Sequence, residues 1–569
     1  MPDLSQIQPF TFALEGGLVL NQSTFSMQPG MALELENFEP SIKGGYRRIN
    51  GYSKWTTSVV PYTTADTEKV LMSAFWKGEI LAARGEKIFR STDKSTALNG
   101  AINASVTTIT VDSTTGFSTT GTILIGTEEI TYTGLTSTTF TGCTRGANST
   151  TAASHLDDAS VYQMWTEIDS GRTSAEKYNF FRYNLAGTDY IIWADGANNA
   201  TYYDGTTLTD VTASGAPSDP KYVVFFKDHM FYAGMSATDQ EVVFSAPFDP
   251  NDFSAANGAG SFVVDSPVTG MISFREALYI FSEERIYKLT GDSVSSFRVD
   301  PITRNIGCRN GHTIKEFAGD IIFLGPDGLR TVAGTEKIDD VELGTVSRQV
   351  QDLFENLSDV SEYVSYVIPE KTQYRLFKVE DSTSVKNTRG VICVRKSNGY
   401  EYGETKGIKI SCADEISYSG VEYVIAGDQN GYVHRHESGN TFDGTNIIGR
   451  YRSADITAGD PGIRKAFHRV IINYAPEGVV SSDLFLRYDY EAANVARPAP
   501  YPFDPDVVAA LYGVSTYGVS AYGGQTDPLI RQPVEGSGFA VALRVIDSGL
   551  SAPYSIKGFA LEYDISARR

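Results

Sequence analysis

Short runs that alternate apolar and polar residues recur along most of this chain, and they predict β-strands joined by tight turns. The turns carry Asp-Gly or another glycine-bearing pair, which is typical of β-hairpins. Six such units are Phe75–Arg90, Tyr190–Tyr203, Asp228–Ser245, Ala277–Leu289, Asp320–Val332 and Val421–His434. Once one inserted segment is set aside, the units recur about every 40 to 50 residues, which favours the blades of a β-propeller. We predict about five to seven blades, with a sandwich or stacked hairpins as the alternative.

The inserted segment is a Thr- and Gly-rich stretch, Thr107 to Val161, with few helix-forming residues. Its period-2 runs predict short strands, and the pairs Thr115-Gly116 and Thr133-Gly134 predict turns. We therefore expect a small separate β domain of about sixty residues inside the longer β-rich chain.

Two further segments differ from the hairpin pattern. Thr345–Leu357 places apolar residues at helical spacing and predicts a helix with one packing face. Beyond about residue 441, longer alternating strands such as Arg469–Tyr474 and Leu484–Tyr490 predict a β-sandwich or sheet. Between those strands, residues 512–523 contain three Tyr-Gly pairs at five-residue intervals. They form either an exposed adhesive loop or an irregular loop that packs its own tyrosines.

The expected fold class is therefore all-β, with four parts. An extended N-terminal segment, residues 1–60, packs on the core or platform. The propeller body comprises residues 61–96 and 166–440, the inserted Thr/Gly-rich β domain is residues 97–165, and a C-terminal β-sandwich or platform domain is residues 441–569.

Composition and charge narrow the function classes. With 41% hydrophobic residues, the chain can bury a sizeable core. The 48 basic and 69 acidic residues give a formal charge of −21, which argues against a protein that grips a nucleic-acid backbone. An acidic wall beside DNA would instead repel it and let it slide. The start of the chain lacks signal-peptide features, and no apolar run approaches the length of a transmembrane helix. We expect a protein assembled in the cytoplasm, without stable membrane insertion.

Sequence motifs give no evidence of an active site. We find no GxSxG elbow, HExxH, P-loop or EF-hand pattern, and we predict no enzyme, no catalytic residue, no cofactor and no metal site. His434 and His436 are two residues apart and could chelate a metal with a third ligand, but none is identifiable, so an outer-face strand pair is favoured. The four scattered cysteines are expected to be buried free thiols.

Three polar clusters could be either ordinary structural features or functional sites. Arg47-Arg48 could bind phosphate, although a solvated turn or an interface contact is the commoner use of such a pair. Asp249–Phe253 could supply calcium ligands, although Asx and Pro clusters usually form turns. Arg464, Lys465 and His468 form a basic spot that could contact an acidic subunit, with a solvated strand lead-in as the favoured interpretation.

The inserted segment resembles a small module that recurs in structural proteins of tailed bacteriophages. The matching runs are Thr108–Val111, Gly116-Phe117, Gly121–Gly126, Glu129–Gly134 and Phe140–Gly146. Outside the insertion, a series of segments resembles, in the same order along the chain, the nozzle, or tail hub, proteins of podophages. They are Leu35–Phe38, Gly44–Arg48, Gly51-Tyr52, Phe244–Phe253, Leu278–Gly291, Ile306–Cys308, Asp320–Arg330, Pro553–Tyr563 and Arg568-Arg569.

This resemblance implies a virion protein with a β-propeller body. It implies a homohexameric ring that docks on a tail adaptor ring, closes the tail tube, and contacts tail fibres. Phage DNA would pass through the lumen during ejection without sequence-specific binding, and the ring would assemble in the host cytoplasm. Two other functions remain open: a receptor-binding or fibre-like tail protein that recognises host surface glycans, and a propeller glycosidase with paired carboxylates.

Overall fold

The computed structural model describes most of the chain and shows an almost wholly β architecture, so the all-β fold class is confirmed. The described residues are 7–61, 69–92, 94–148, 150–173, 177–303, 305–332, 345–354, 362–378, 388–492, 495, 497–503, 529–547, 549 and 551–568. The helical segments among them are short 3₁₀ turns. These turns are Ala255–Asn257, Gly311–Thr313, Arg348–Leu353, Pro369–Lys371 and Asp489–Glu491.

Seven antiparallel groups of three or four strands surround one axis and form a β-propeller, at the upper end of the expected blade range; the sixth and seventh groups belong to larger sheets. We number them blade 1 to blade 7 in chain order. Blade 1 contains Met72–Trp76, Glu79–Arg84, Lys87–Ser91 and Trp165–Asp169, and blade 2 contains Asn179–Leu185, Thr188–Ala194, Thr201–Tyr203 and Leu208–Asp210. Blade 3 contains Tyr222–Phe226, His229–Ala233, Glu241–Phe244 and Gly260–Val263, and blade 4 contains Val268–Phe274, Ala277–Ser282, Ile286–Thr290 and Arg298–Thr303.

Blades 5 to 7 complete the circle. Blade 5 contains Lys315–Phe317, Asp320–Gly325 and Gly328–Thr331, and blade 6 contains Tyr363–Ile368, Gln373–Lys378, Thr388–Lys396 and Gly399–Ile408. Blade 7 contains Cys412–Tyr418, Val421–Gly427, Val433–His436 and Tyr52–Lys54. The last strand of blade 7 comes from the N-terminal segment, where Ser53 pairs with Arg435. The circle is therefore closed by hydrogen bonds between distant parts of the chain, and not by a local hairpin.

Local sequence explains the hairpins within the blades. The first two strands of blade 2 meet at Ala186-Gly187, and those of blade 5 meet at Ala318-Gly319. All four residues have positive φ angles, between 50° and 87°. This is the backbone of a type I′ turn, whose twist matches that of the flanking strands. Neighbouring blades then share buried apolar clusters, such as the one that joins Trp76 of blade 1 to Trp193 of blade 2.

The Thr-rich insertion is a compact unit, here called the module and defined as residues 95–163. Its four-stranded sheet contains Ser95–Ala97, Gly121–Ile125, Glu128–Tyr132 and Ser160–Gln163, and its three-stranded sheet contains Ile109–Thr110, Gly134–Leu135 and Thr139–Thr141. The module has its own core, which includes Ile123, Ile130 and Phe140. It leaves blade 1 after the third strand and returns at the fourth, where Ser91 pairs with Trp165.

Two large sheets form a second body, here called the platform. One sheet has seven strands, which are Gln8–Ala13, Phe38–Pro40, Tyr46–Arg48, Ile463–Pro476, Leu529–Pro533, Ser537–Gly538 and Tyr554–Arg568. The other contains Ala32–Glu36, Gly449–Ser453, Ser482–Tyr488, Tyr501–Phe503 and Val541–Asp547, continued by the four strands of blade 6. Tyr451 and Phe559 stack across the two sheets with ring centroids 6.0 Å apart. The platform is thus a β-sandwich whose core runs into the propeller.

The platform is not confined to residues 441–569. The N-terminal segment supplies four strands to its two sheets, and Glu36 pairs in parallel with Glu404 of blade 6. The described part of the N-terminal segment, residues 7–60, is therefore integral to both bodies instead of lying on them. A period-2 pattern specifies which face of a strand is buried, but it does not specify the strand's partner, so this division of the chain could not be drawn from the pattern.

The helix predicted over Thr345–Leu357 is not formed in the described part of that segment. Residues 348–353 make 3₁₀ turns, interrupted at Val350 by φ −122° and ψ 32°. The carbonyl of Gln349 accepts a hydrogen bond from the Leu20 amide at 2.8 Å, so an amide from a distant segment takes the place of a helical donor. The apolar face is nevertheless buried, because Val350 and Phe354 lie in the platform core.

Candidate functional site

The propeller axis contains a cavity of about 220 Å³ lined by residues from all seven blades. Asn179 of blade 2, Val223 of blade 3 and Ser365 of blade 6 lie on its wall. This volume is below the range of about 300–1,000 Å³ that is typical of small-molecule pockets. The cavity is therefore small, and polar side chains such as Asn179 and Ser365 form part of its wall.

Ion pairs between side chains of different blades line this cavity. Arg182 of blade 2 pairs with Asp414 of blade 7, whose carboxylate also accepts the Phe75 amide of blade 1 at 2.7 Å. Lys315 of blade 5 lies 2.8 Å from Glu415 of blade 7. Each acid is thus paired with a cation from another blade, and these contacts hold the blades together across the axis.

Two side chains at the axis have shifted pKa values. Burial, together with the nearby Lys177, Lys221 and Lys315, lowers the pKa of His312 to about 3, so its imidazole is neutral at physiological pH. Burial raises the pKa of Glu415, and Lys315 opposes that shift. A neutral histidine and paired acids support structural packing more readily than proton transfer.

A second charged cluster joins the platform to blades 6 and 7. Arg375, almost fully buried, contacts Glu39 and Glu437 at 2.7 Å each. Lys371 contacts the same two carboxylates. Burial opposes ionisation of Glu437, but Arg375 and Lys371 lower its pKa to about 2. The cluster therefore stays charged and connects three parts of the fold.

Arg47 and Arg48 form ion pairs with carboxylates of this chain, so the favoured interpretation of a solvated turn was wrong. Arg47 lies 2.9 Å from Glu39 and 2.6 Å from Glu477. Arg48 Nε lies 2.9 Å from Asp547, and neither side chain is exposed to solvent. A phosphate would have to displace these carboxylates, so the pair is a structural joint of the platform.

His434 and His436 are buried, so the outer-face interpretation of this pair was also wrong. They project from one face of their strand, as their spacing predicts. Tyr52 lies between them and Phe442: its ring stacks on His436 at 5.0 Å and on Phe442 at 5.2 Å, and the His434 ring is 4.8 Å away. The two histidines thus fix the closing strand of the propeller. The described part of the chain holds no group of three or more His, Cys, Asp or Glu placed to bind a metal ion.

The remaining candidate residues serve as local supports. Asn251 accepts backbone N–H bonds from Thr212 and Ala213, so the Asp249–Phe253 loop of blade 3 is a turn that packs on the segment following blade 2. Lys465 of the basic spot is buried and donates to the Asp460 carbonyl at 2.5 Å. Arg464 bonds Ser537, and His468 lies 3.1 Å from Asp564.

All four cysteines are buried free thiols, as the sequence predicted. The Tyr-Gly loop, residues 512–523, lies outside the described residues.

Sequence reasoning missed the axial ion pairs, the Arg375 cluster and a further buried centre, Glu128 of the module. Its carboxylate accepts both Arg145 Nε and Arg145 Nη2 at 2.8 Å, and it lies 2.7 Å from His155 Nε2. Backbone amides of Gly146 and Ala153 add two further bonds. Burial raises the pKa of Glu128, but these hydrogen bonds outweigh it and lower the pKa to about 2. The signal for this centre in the sequence was the acidic pair Glu128-Glu129, followed later in the module by Arg145-Gly146.

Within the described ranges, no helix is long and apolar enough to span a membrane. The sequence matches no known family model and no curated protein. Several solved structures share a partial likeness with this chain.

BBS1N in complex with ARL6DN is 12% identical, with a TM-score of 0.27 over 47% of this chain and 94% of that one. Hsv2 from Kluyvelomyces marxianus is 7% identical, with a TM-score of 0.24 over 59% and 96%. An exo-β-1,3-galactanase from Phanerochaete chrysosporium is 10% identical, with a TM-score of 0.24 over 83% and 100%. Likenesses this distant say nothing about what this chain does, and the propeller assignment stands on its own sheet topology.

Proposed function

We propose that this chain is a structural subunit of a bacteriophage tail nozzle, a ring that closes the tail tube and conducts DNA during ejection. The observation that carries the proposal is where the segments of the nozzle resemblance lie in the fold. The strand Tyr46–Arg48 lies beside Tyr554–Arg568, with Tyr46 opposite Ile556. An early segment, Gly44–Arg48, and a late one, Pro553–Tyr563, are therefore neighbours in one sheet, and Gly51-Tyr52 leads into the strand that closes the propeller. The resemblance thus concerns the framework of the molecule.

The propeller axis of one subunit is too narrow to conduct DNA, so in this role the conduit lies between subunits. The cavity of about 220 Å³ is crossed by ion pairs from Arg182 and Lys315. A DNA duplex, whose major groove alone is about 12 Å wide, cannot pass there. A ring built through heterologous contacts supplies a lumen of its own. The formal charge of −21 favours a lumen that repels phosphates and lets DNA slide.

In this role the chain is a hexameric structural component of the virion and carries out no catalysis. One ring face would dock on the adaptor ring, tail fibres would attach nearby, and assembly would take place in the host cytoplasm. These partners follow from the resemblance alone.

The test is to locate the protein in particles. Antibody against this chain, bound to purified virions and imaged by electron microscopy, should mark the tip of the tail. The purified chain mixed with the adaptor should also form a species whose added mass is about six times its own 62.0 kDa. Detection in infected cells but never in purified particles would overturn the proposal.

A further inference from the structure

The platform sheet that continues into blade 6 carries three half-buried arginines on its outer face, here called the arginine face: Arg452, Arg487 and Arg544. Arg452 lies directly opposite Arg544 on the neighbouring strand. Arg487, on the next strand, pairs with Ala542, two positions before Arg544, so it shares that face. The opposite face of the sheet, with Leu543, lies in the platform core. The three guanidinium groups are therefore neighbours on one side of the platform.

Positive charge exceeds negative charge at the arginine face. Arg544 lies 3.0 Å from Glu34, and Arg452 lies 3.6 Å from Glu491. Arg487 donates to a backbone carbonyl at 3.2 Å, and none of the carboxylates that the structure describes lies within 4 Å of it. Burial lowers the pKa of Arg487, and three neighbouring arginines add to that shift. Since like charges opposite each other weaken a sheet, the arrangement favours a negatively charged partner from outside the subunit.

One edge of blades 3 and 4 has the complementary charge. It is here called the acidic edge and comprises Lys227, Asp228, Phe248, Glu276 and Asp292. Lys227 Nζ lies 2.5 Å from Glu276 and 2.9 Å from Asp292, whose side chains are 87% and 84% exposed. Arg275, the next cation, donates to a carbonyl of blade 5 at 2.8 Å. Two exposed carboxylates thus share one ammonium group, and the edge keeps a negative charge.

Phe248 adds an exposed aromatic ring to the acidic edge. The residue is 63% exposed and has a φ angle of 65°, which is uncommon for a bulky side chain. Its N–H donates to the Asp228 carbonyl at 2.9 Å, so the loop is held against the turn. On the arginine face, the Arg487 guanidinium lies 5.3 Å from the ring centroid of Phe485. Both surfaces therefore combine charge with an aromatic ring, the composition that is enriched in protein interfaces.

We propose that the arginine face of one subunit binds the acidic edge of the next copy of this chain. Arg487 and its two neighbours pair with Glu276 and Asp292, and Phe248 packs beside Phe485. Two arginine faces repel each other, so the contact joins different surfaces of the two copies, as in a ring. The inference rests on the proposed ring and names the surfaces that hold its subunits together.

A nucleic-acid backbone is the poorer partner for the arginine face. Glu34 and Glu491 lie beside two of its arginines, and Asp483 is exposed on the strand of Arg487. A continuous run of phosphates would meet these carboxylates and be repelled. A protein edge with two carboxylates and one aromatic ring places its negative charge only where the arginines are.

The test is sedimentation of the full chain over a series of protein concentrations, which gives the dissociation constant of self-association. Arg487→Glu and Glu276→Arg should each raise this constant about tenfold or more, because each brings like charges together. The chain that carries both changes should associate nearly as well as the unaltered chain, since the charges are exchanged across the contact. Glu284→Arg reverses an exposed acid in the opposite turn of blade 4 and should leave the constant unchanged.

A chain that stays monomeric throughout, or a double variant that associates no better than the single ones, would overturn the inference. Retardation of a DNA duplex by the unaltered chain, lost in Arg487→Glu, would assign the arginines to phosphate groups instead. If Arg487→Glu melts at a lower temperature than the unaltered chain, Phe248→Asn replaces it. Asparagine tolerates a positive φ angle, and loss of the ring should weaken association. An unchanged constant in that variant would contradict the docking. The labelling of virions tests the nozzle proposal separately.

Discussion

Arg48 and Asp547 form an ion pair at 2.9 Å in the platform, with no solvent exposure of either side chain. Arg48 also donates to the carbonyl of Asn440 at 3.2 Å. Burial lowers the pKa of Arg48 and raises that of Asp547, while the attraction between them opposes both shifts. The two residues are almost five hundred positions apart, so this contact ties the ends of the chain to each other.

Arg48→Met should destabilise the platform by about 3–5 kcal/mol, because it leaves the Asp547 carboxylate buried without its partner. Adding Asp547→Leu should recover much of the loss, since no buried charge then remains. Chemical denaturation followed by intrinsic fluorescence measures both changes. Lys43→Met, at an exposed position, should stay within about 0.5 kcal/mol of the unaltered chain. A double variant that is as unstable as Arg48→Met would show that lost packing dominates.

The module should lose stability in acid through Glu128. Its pKa lies at about 2 in the folded chain, below the ordinary value of 4.5. A lowered pKa stabilises the fold fully above pH 4.5, and the contribution disappears as pH falls from there towards 2. The protection against hydrogen exchange in peptides covering residues 121–146, taken relative to the intrinsic exchange rate at each pH, should therefore fall across that window. Glu128→Gln should exchange faster at neutral pH and show a weaker dependence on pH; an unchanged pH profile in that variant would assign the effect to other groups.

The module should be removable without unfolding the propeller. Thr92 donates its N–H to the Met164 carbonyl at 3.4 Å, next to the Ser91–Trp165 pair. The two points where the module joins blade 1 are therefore already in contact. Replacing residues 93–163 by Asn-Gly should convert the insertion point into a two-residue hairpin. Circular dichroism and a cooperative melt near that of the full chain are expected, together with retained ring assembly on the adaptor. Aggregation, or loss of the β spectrum, would show that the module is part of the core.

The closing strand of blade 7 should depend on Tyr52. Tyr52→Ala removes a buried ring that contacts His434, His436 and Phe442. The expected cost is about 3–5 kcal/mol, the usual range for removing a buried aromatic side chain. Limited proteolysis after residue 54 should become faster, because the circle of blades opens there. Tyr418→Ala, in the same blade but 38% exposed, should cost less and leave that cleavage rate nearly unchanged.

The candidate sites show why local pattern misjudges charged and polar residues. Arg48, His434 and His436 resemble solvated surface residues in the sequence, since the groups that compensate for their burial are far away in the chain. Their partners, Asp547 for Arg48 and Tyr52 for the histidines, lie hundreds of residues away. The same holds for Arg182 and Asp414 at the propeller axis. Burial of charge is decided by such distant partners, which a single sequence does not reveal.

The sequence by itself determined the all-β class, the hairpin units and the inserted module. These properties depend on local chemistry, such as the period-2 pattern and turn pairs like Ala186-Gly187 and Ala318-Gly319. Only the tertiary structure decided the number of blades, the closure by Tyr52–Lys54, and the sharing of one sheet by blade 6 and the platform. Those features are pairings between strands far apart in the chain. The alternation of apolar residues fixes the face that each strand buries, but leaves its neighbour open.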